Sequence, residues 1–259
     1  MLQMDRTQCL DVVEHEGRRI LSFFDEPGLS SSAPVPSCPG WTLDELANHL
    51  GRVYSWVAAI LECDSAGPPD RDQAAQQSED QPPAEWMQTG LSRVVSLLRD
   101  LPEDARRWSF VTGPDSPVAF WWRRQMHETL IHRVDAELAA GSEITTPAAE
   151  IAADGIPEHL DLNRCTRVEA QDIRLGEGLT IRLHATDVES DAEWTIDTVN
   201  RTYAASHMKA DVALRGPAWA LDRWCWRRGD LSPDSRLFLG AEVETFGDWE
   251  TAEKARPTL

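Results

Sequence analysis

The chain has 259 residues, of which 41% are hydrophobic and 27% are charged. That balance is typical of a globular protein with a substantial core, and it excludes an intrinsically disordered chain. The formal net charge of −19 gives a surface that repels nucleic-acid phosphates and anionic lipid headgroups. We therefore expect neither a nucleic acid nor a membrane as a partner.

The five cysteines are widely separated and include no CxxC pair, a pattern typical of reduced thiols inside a cell. The first twenty residues contain acidic side chains and lack the apolar segment of a secretory signal. The sequence also lacks an apolar run of about 18 residues, the length that a membrane-spanning helix requires. We therefore expect a cytoplasmic protein.

Up to about residue 145, apolar side chains recur every three or four residues, which is the periodicity of α-helices. The pattern predicts four of them: 5–24, a helix that starts at Thr42 and includes Ile60, 84–100 and 118–140. Segments rich in Pro, Gly and polar residues predict the loops between them: 25–40, 64–83 and 108–117. Four helices joined by long loops favour an antiparallel bundle.

Thr42 and Glu45 form a capping box, which marks the best-defined helix start in the sequence. In this motif the Thr hydroxyl accepts a hydrogen bond from the third N–H of the helix, and the Glu side chain reaches back to the N–H of the Thr. The apolar stripe that follows includes Leu46 and Leu50 and must face the bundle. It places His49 at its edge.

After residue 145 the pattern changes to short helices and strands, beginning with a predicted helix over 147–160. Alternating apolar and polar side chains predict three strands: 179–185, 193–198 and 210–214. Gly216 and Pro217 then open a helix that contains several tryptophans. The predicted fold class is therefore α+β, with two domains: a four-helix bundle over 1–145 and a smaller α+β domain over 146–259.

Glu128 and His132 are four residues apart on the predicted helix 118–140, so their side chains project from one helix face a turn apart. A carboxylate and an imidazole in this arrangement form a chelate that suits zinc, and also nickel, manganese or iron. His49 is the candidate third ligand. Three protein ligands leave an open coordination position, as in catalytic rather than structural zinc sites.

Other interpretations of these residues stay open at this point. Glu128 can pair with Arg124 on an exposed helix face, an interaction of only ~0.3–0.5 kcal/mol. His49 can be a core histidine without a metal. Cys38, eleven residues before His49, can be a fourth ligand that closes the site, or a small buried residue under the loop.

Three segments resemble the mycothiol-dependent maleylpyruvate isomerase family: VPSCPGWTLDELANHLG (35–51), RQMHETLIHRVDAE (124–137) and LRGPAWALDRWCWRRGD (214–230). The resemblance implies a DinB-like four-helix metal domain followed by a smaller, sterol-carrier-like α+β domain. It also implies zinc ligands at His49, Glu128 and His132, and mycothiol, a low-molecular-weight thiol, as cofactor.

The expected function is therefore a zinc-dependent enzyme that activates such a thiol for isomerisation of, or S-transfer to, a small electrophilic substrate. Asp135 is the predicted carboxylate that orients a ligand, and Arg228 is a candidate for binding a substrate carboxylate, with a solvated helix face as the alternative. We expect a monomer or a weak homodimer. A metal-dependent hydrolase and a non-enzymatic ligand-binding or regulatory protein are the alternatives.

Overall fold

The computed structural model of the chain describes residues 4–63, 67–78, 80–111, 113–165, 179–188, 192–200 and 202–238. The chain divides after Thr145 into two compact units. The first is helical apart from one small hairpin, and the second combines helices with a five-stranded sheet. The predicted α+β class is confirmed.

Four long helices build the first unit: α1 (Arg6–Ser22), α2 (Leu43–Glu62), α4 (Pro83–Asp100) and α5 (Ala119–Ala140). They confirm the four predicted helices. α2 packs mainly against α4, and α1 packs against α5 and α4. Their apolar stripes are buried at the centre, with residues such as Leu46, Leu50 and Leu98 fully inaccessible to solvent. Burial of these stripes is the main favourable contribution to the stability of the bundle.

Two glycines allow α2 and α4 to approach each other closely. A Cβ atom at Gly51 would lie 2.8 Å from the Trp86 ring, and one at Gly90 would lie 3.0 Å from the Cβ of Tyr54. Both distances are shorter than ordinary van der Waals contact. The glycines therefore fix the spacing of the two helices, and with it the position of the α2 turn that carries His49.

α5 is buried on almost every side, although it carries many charged groups. Arg133 on α5 is inaccessible to solvent and donates to Glu16 of α1 at 2.8 Å and to Glu137 at 2.5 Å. It also donates to the carbonyl of Thr145 at 2.8 Å. A charge can remain buried only when it is paired. The partners of Arg133 lie on α1, on α5 and at the end of the unit, so the network connects these three parts of the chain.

The predicted loop 108–117 is wrong in part, because it contains the end of one strand and the whole of another: β1 (Arg106–Ser109) pairs antiparallel with β2 (Gly113–Pro117). These strands are short, and β2 contains a glycine and two prolines, so no alternating pattern reveals them. A short helix, α3 (Arg71–Ala74), lies in the predicted connection 64–83. Residues 64–66, 79 and 112 of these two predicted segments lie outside the described residues.

The second unit opens with α6 (Ala149–Cys165), which is longer than the predicted helix 147–160. The sheet has the order β5-β4-β3-β6-β7, in which β3 pairs antiparallel with β4 and parallel with β6. Its strands are β3 (Thr180–Ala185), β4 (Ala192–Asp197), β5 (Thr202–Ala204), β6 (Val212–Gly216) and β7 (Arg236–Phe238). β3, β4 and β6 confirm the three predicted strands, whereas β5 and β7 have only three residues each and were not predicted.

The predicted helix after Gly216 is α7 (Ala218–Cys225), which packs against α6, β3 and β6. Among the described helices of both units, none combines the length and the apolar composition that crossing a membrane requires.

The capping box at the start of α2 is confirmed: the Thr42 side chain accepts from the Glu45 N–H, and Glu45 accepts from the Thr42 N–H at 2.8 Å. We expect Thr42→Ala to lower the free energy of unfolding by ~1 kcal/mol, because alanine lacks the hydroxyl that accepts the hydrogen bond of the Glu45 N–H. Urea denaturation measures this change. Thr42→Ser, which keeps the hydroxyl, should behave as wild type, and equal stability of the alanine variant would contradict the assignment.

Candidate metal centre

The centre is built by α2 and α5, which contact each other within the first unit. On α2, His49 follows the capped first turn and lies next to the buried Leu50, so its ring is turned partly inward. On α5, Glu128 and His132 lie one turn apart on the face that meets α2. Local helix geometry therefore brings the pair together, and helix packing adds His49.

The three side chains converge on one point. His49 Nε2 lies 3.1 Å from Glu128 Oε1, and His132 Nε2 lies 3.4 Å from the same oxygen. One ligand atom from each residue lies within 4.8 Å of the others, and the three form the one such His/Cys/Asp/Glu group found among the described residues. Two imidazole nitrogens and a carboxylate oxygen at this spacing are a donor set that zinc commonly takes.

Arg124 holds the second oxygen of Glu128. Its guanidinium lies one turn earlier on α5 and donates to Glu128 Oε2, and both side chains are largely buried. Burial alone would raise the pKa of Glu128, but Arg124, His132 and His49 outweigh it and hold that pKa well below its usual range. Glu128 is therefore a carboxylate with one oxygen paired to Arg124 and the other directed at the two imidazoles.

Asp135 fixes the orientation of His132. Its Oδ2 lies 2.7 Å from His132 Nδ1, and the carboxylate is inaccessible to solvent. Two side chains of the loop before α2 also donate to this carboxylate: Ser37 Oγ to Oδ1 at 2.5 Å and Cys38 Sγ to Oδ2 at 3.5 Å. A carboxylate in this position places the proton on Nδ1 and leaves Nε2 facing the centre.

This arrangement requires a positive charge between His132 and Glu128. With the proton on Nδ1, a neutral His132 would direct a lone pair at a carboxylate oxygen 3.4 Å away, which is repulsive. Burial lowers the pKa of His132, but Asp135 and Glu128 outweigh it and raise that pKa overall. A proton on Nε2 or a cation bound by both residues relieves the repulsion, so the residues present fit a divalent ion.

His49 differs from His132 because burial dominates its surroundings and lowers its pKa, despite the opposing effect of Glu128. A neutral imidazole is the form that binds metals. Trp41 covers this side of the centre, with its ring centroid 4.9 Å from that of His49 and 6.3 Å from that of His132.

The structure brings together four of the five site residues predicted from sequence: His49, Glu128, His132 and Asp135. The open alternative of an exposed Arg124–Glu128 pair is wrong, because the pair is buried. Cys38 donates to Asp135, and it does not join the three-residue ligand group.

Arg228 lies in the second unit, just after α7, and is 6% exposed. Its side chain donates to the carbonyl of Trp226 at 2.8 Å. The alternative of a solvated helix face is therefore wrong for Arg228, and its assignment to substrate binding stays a prediction.

Sequence reasoning missed Ser37 and Trp41, and it predicted an exposed rather than a buried pairing of Arg124 with Glu128. Trp41 had a local signal, because it directly precedes the capping box that presents His49. Ser37 had none, since its contact with Asp135 spans 98 residues of sequence. Contacts of that kind arise only from the folded arrangement of the loop against α5.

These features define a class of protein: a helical bundle with an inward-facing His–Glu–His centre. Residues 13–137 match the family described as mycothiol maleylpyruvate isomerase N-terminal domain. A comparison with curated protein sequences finds no match.

Two solved structures share the fold. The crystal structure of the mycothiol-dependent maleylpyruvate isomerase has a TM-score of 0.59 at 16% identity, over 93% of this chain and 95% of that one. A histidine-to-alanine mutant of that isomerase gives the same TM-score and coverage at 15% identity. The match over residues 13–137 and the shared fold confirm the resemblance read from the sequence.

We expect Asp135→Asn to weaken the binding of added zinc about 10- to 100-fold, because the amide no longer fixes the Nδ1–H form of His132 as a carboxylate does. Titration of zinc against a competing chelator measures the change. Cys38→Ser provides a matched comparison: a hydroxyl can still donate to Asp135, so zinc affinity should stay close to that of wild type. Strong loss of zinc in Cys38→Ser would instead make Cys38 a ligand.

Proposed function

We propose that this protein is an enzyme that uses a divalent metal centre to activate a low-molecular-weight thiol of the mycothiol type, for isomerisation of a small electrophilic substrate. The observation that carries the proposal is the convergence of His49, Glu128 and His132 within 4.8 Å. It occurs in a domain whose family is named for mycothiol maleylpyruvate isomerase. Zinc is the ion that this donor set favours.

A bound divalent ion supplies a Lewis-acidic position at which a thiol ionises near neutral pH. His49, Glu128 and His132 would hold that ion, and three protein ligands would leave room for a thiol. Arg124 keeps Glu128 ionised, and Asp135 keeps Nε2 of His132 available. Trp41 shields the imidazoles from water, which strengthens electrostatic interactions within the centre.

A thiolate of this kind is suited to reversible addition to an activated carbon–carbon double bond. Addition converts the double bond to a single bond, rotation follows, and departure of the same thiolate restores the double bond in the other geometry. The thiol is regenerated, so the reaction needs no oxidant or reductant. S-transfer, in which the thiol stays on the product, is the alternative outcome of the same first step.

His132→Ala tests the metal centre. We expect purified wild-type protein to contain close to one zinc per chain and the variant to lose it, because the ion would keep only two protein ligands. The fold should be retained, since every long helix of the bundle buries its own apolar stripe. Elemental analysis and circular dichroism give the two readouts.

His15→Ala is the matched control, because His15 is an exposed histidine on α1 of the same unit. It should leave the zinc content unchanged. An equal zinc content in wild type and His132→Ala would contradict the assignment of the metal site.

The thiol dependence is tested with maleylpyruvate, the substrate named for the structural neighbours, as the first electrophile. We expect wild-type turnover to require both zinc and an added thiol, and to fall by at least about 100-fold when a chelator removes the metal. Turnover of a substrate by the zinc-loaded protein without any thiol would contradict the proposal and favour a hydrolase.

A further inference from the structure

Gln125 lies on the same face of α5 as the proposed metal ligands and has no role in the centre described above. It precedes Glu128 by one turn and follows Trp121 by one turn, so the three side chains form a continuous stripe. The residue is 1% exposed. A carboxamide in so buried a position is normally hydrogen-bonded.

The Oε1 atom of Gln125 is buried and has no hydrogen-bond partner among the described residues. The hydroxyl groups of Thr129 and Tyr54 are already engaged with other acceptors. Thr129 Oγ1 donates its proton to the backbone carbonyl of Gln125 at 2.8 Å, and Tyr54 Oη, 2.8 Å from that Oγ1, must then donate to it. The Oε1 acceptor is therefore left without a donor.

Aromatic rings continue the stripe on the other side of Gln125. The Trp121 ring lies 6.0 Å from that of Trp56, which in turn lies 6.0 Å from that of Trp108. Trp56 follows His49 by two turns on α2, just as Trp121 precedes Glu128 by two turns on α5. On each helix an indole therefore lies two turns from a candidate metal ligand. On α5, Gln125 lies between the indole of Trp121 and the carboxylate of Glu128.

We propose that Gln125 is a specificity-determining residue, whose Oε1 accepts a hydrogen bond from an N–H or O–H group of the thiol that binds at the His49–Glu128–His132 centre. The inference rests on the proposed function. One helical turn, about 5.4 Å, separates Gln125 from Glu128. The thiols selected are therefore those with a donor only a few bonds from sulfur, while the nearby indoles provide an apolar surface for the carbon skeleton.

Two thiols that differ only in this donor test the inference. N-acetylcysteamine has an amide N–H three bonds from sulfur, and 2-mercaptoethyl acetate has an ester oxygen in its place. We expect zinc-loaded wild-type protein to bind the amide about tenfold more tightly than the ester, the usual magnitude of one hydrogen bond to a buried group. Calorimetric titration measures both dissociation constants.

Gln125→Leu should bind the two thiols equally, because it removes the acceptor and keeps the zinc ligands. Gln125→Met, closer in shape, serves the same purpose if the leucine variant folds poorly. The melting temperature of the metal-free variant should equal or exceed that of wild type, since a buried group without a partner has been removed. Gln88→Leu, the same substitution at an exposed position of α4, should keep the wild-type preference.

The outcomes separate the two proposals. A wild-type preference for the amide that disappears in Gln125→Leu, with zinc content unchanged, supports the inference. Equal binding of both thiols by wild type, or an unchanged preference in the variant, overturns it and leaves the proposed function standing. Binding of neither thiol by zinc-loaded wild type overturns the proposed function, and the inference with it.

Discussion

The hydrogen bond between the buried carboxylate of Asp135 and Nδ1 of His132 is the interaction on which the rest of the centre depends. It determines which imidazole nitrogen faces Glu128, and so turns two neighbouring residues of one helix into a pair of donors. Ser37 and Cys38 bind the same carboxylate, so the loop before α2 is attached to α5 at this point. That attachment also positions Trp41 and the start of α2, and therefore His49.

α5 carries a second buried charge cluster, and the contrast between the two is informative. Around Arg133, the Glu137 carboxylate accepts hydrogen bonds from the guanidinium and from the N–H and hydroxyl of Thr145. Each of those contacts joins a donor to an acceptor. Around Glu128, an imidazole nitrogen faces a carboxylate oxygen, and this contact is favourable only with a proton or a cation between the two atoms. The first cluster is suited to holding the fold, and the second to binding.

Much of the fold and of the candidate centre could be predicted from the sequence, wherever the pattern depends on residues close together in the chain. The i, i+4 spacing of Glu128 and His132 and the capping box at Thr42 each depend on a few neighbouring residues, and the geometry of a helix does the rest. The third candidate ligand was harder to predict, because His49 reaches the other two residues only through packing of α2 on α5. The β1–β2 hairpin and the edge strands β5 and β7 gave no usable pattern, since strands of three to five residues are defined by their partners. The burial of Gln125 and the missing partner of its Oε1 could not be predicted from the sequence at all.

The local periodicity of the helices also explains how the fold is shared with structural neighbours at only 15–16% identity. Apolar residues of many kinds can fill a helical bundle as long as the periodicity and the total volume are kept. The candidate centre depends instead on specific residues, because Glu128, His132 and Asp135 share one helix in a fixed spacing while α2 supplies His49 from the facing side. The apolar stripes stabilise the bundle, and hydrogen bonds from Asp135 and Arg124 hold His132 and Glu128, so the candidate ligands are ordered without an ion. A cation that binds such a centre gains affinity because little conformational entropy is lost on binding, and it stabilises a fold that does not require it.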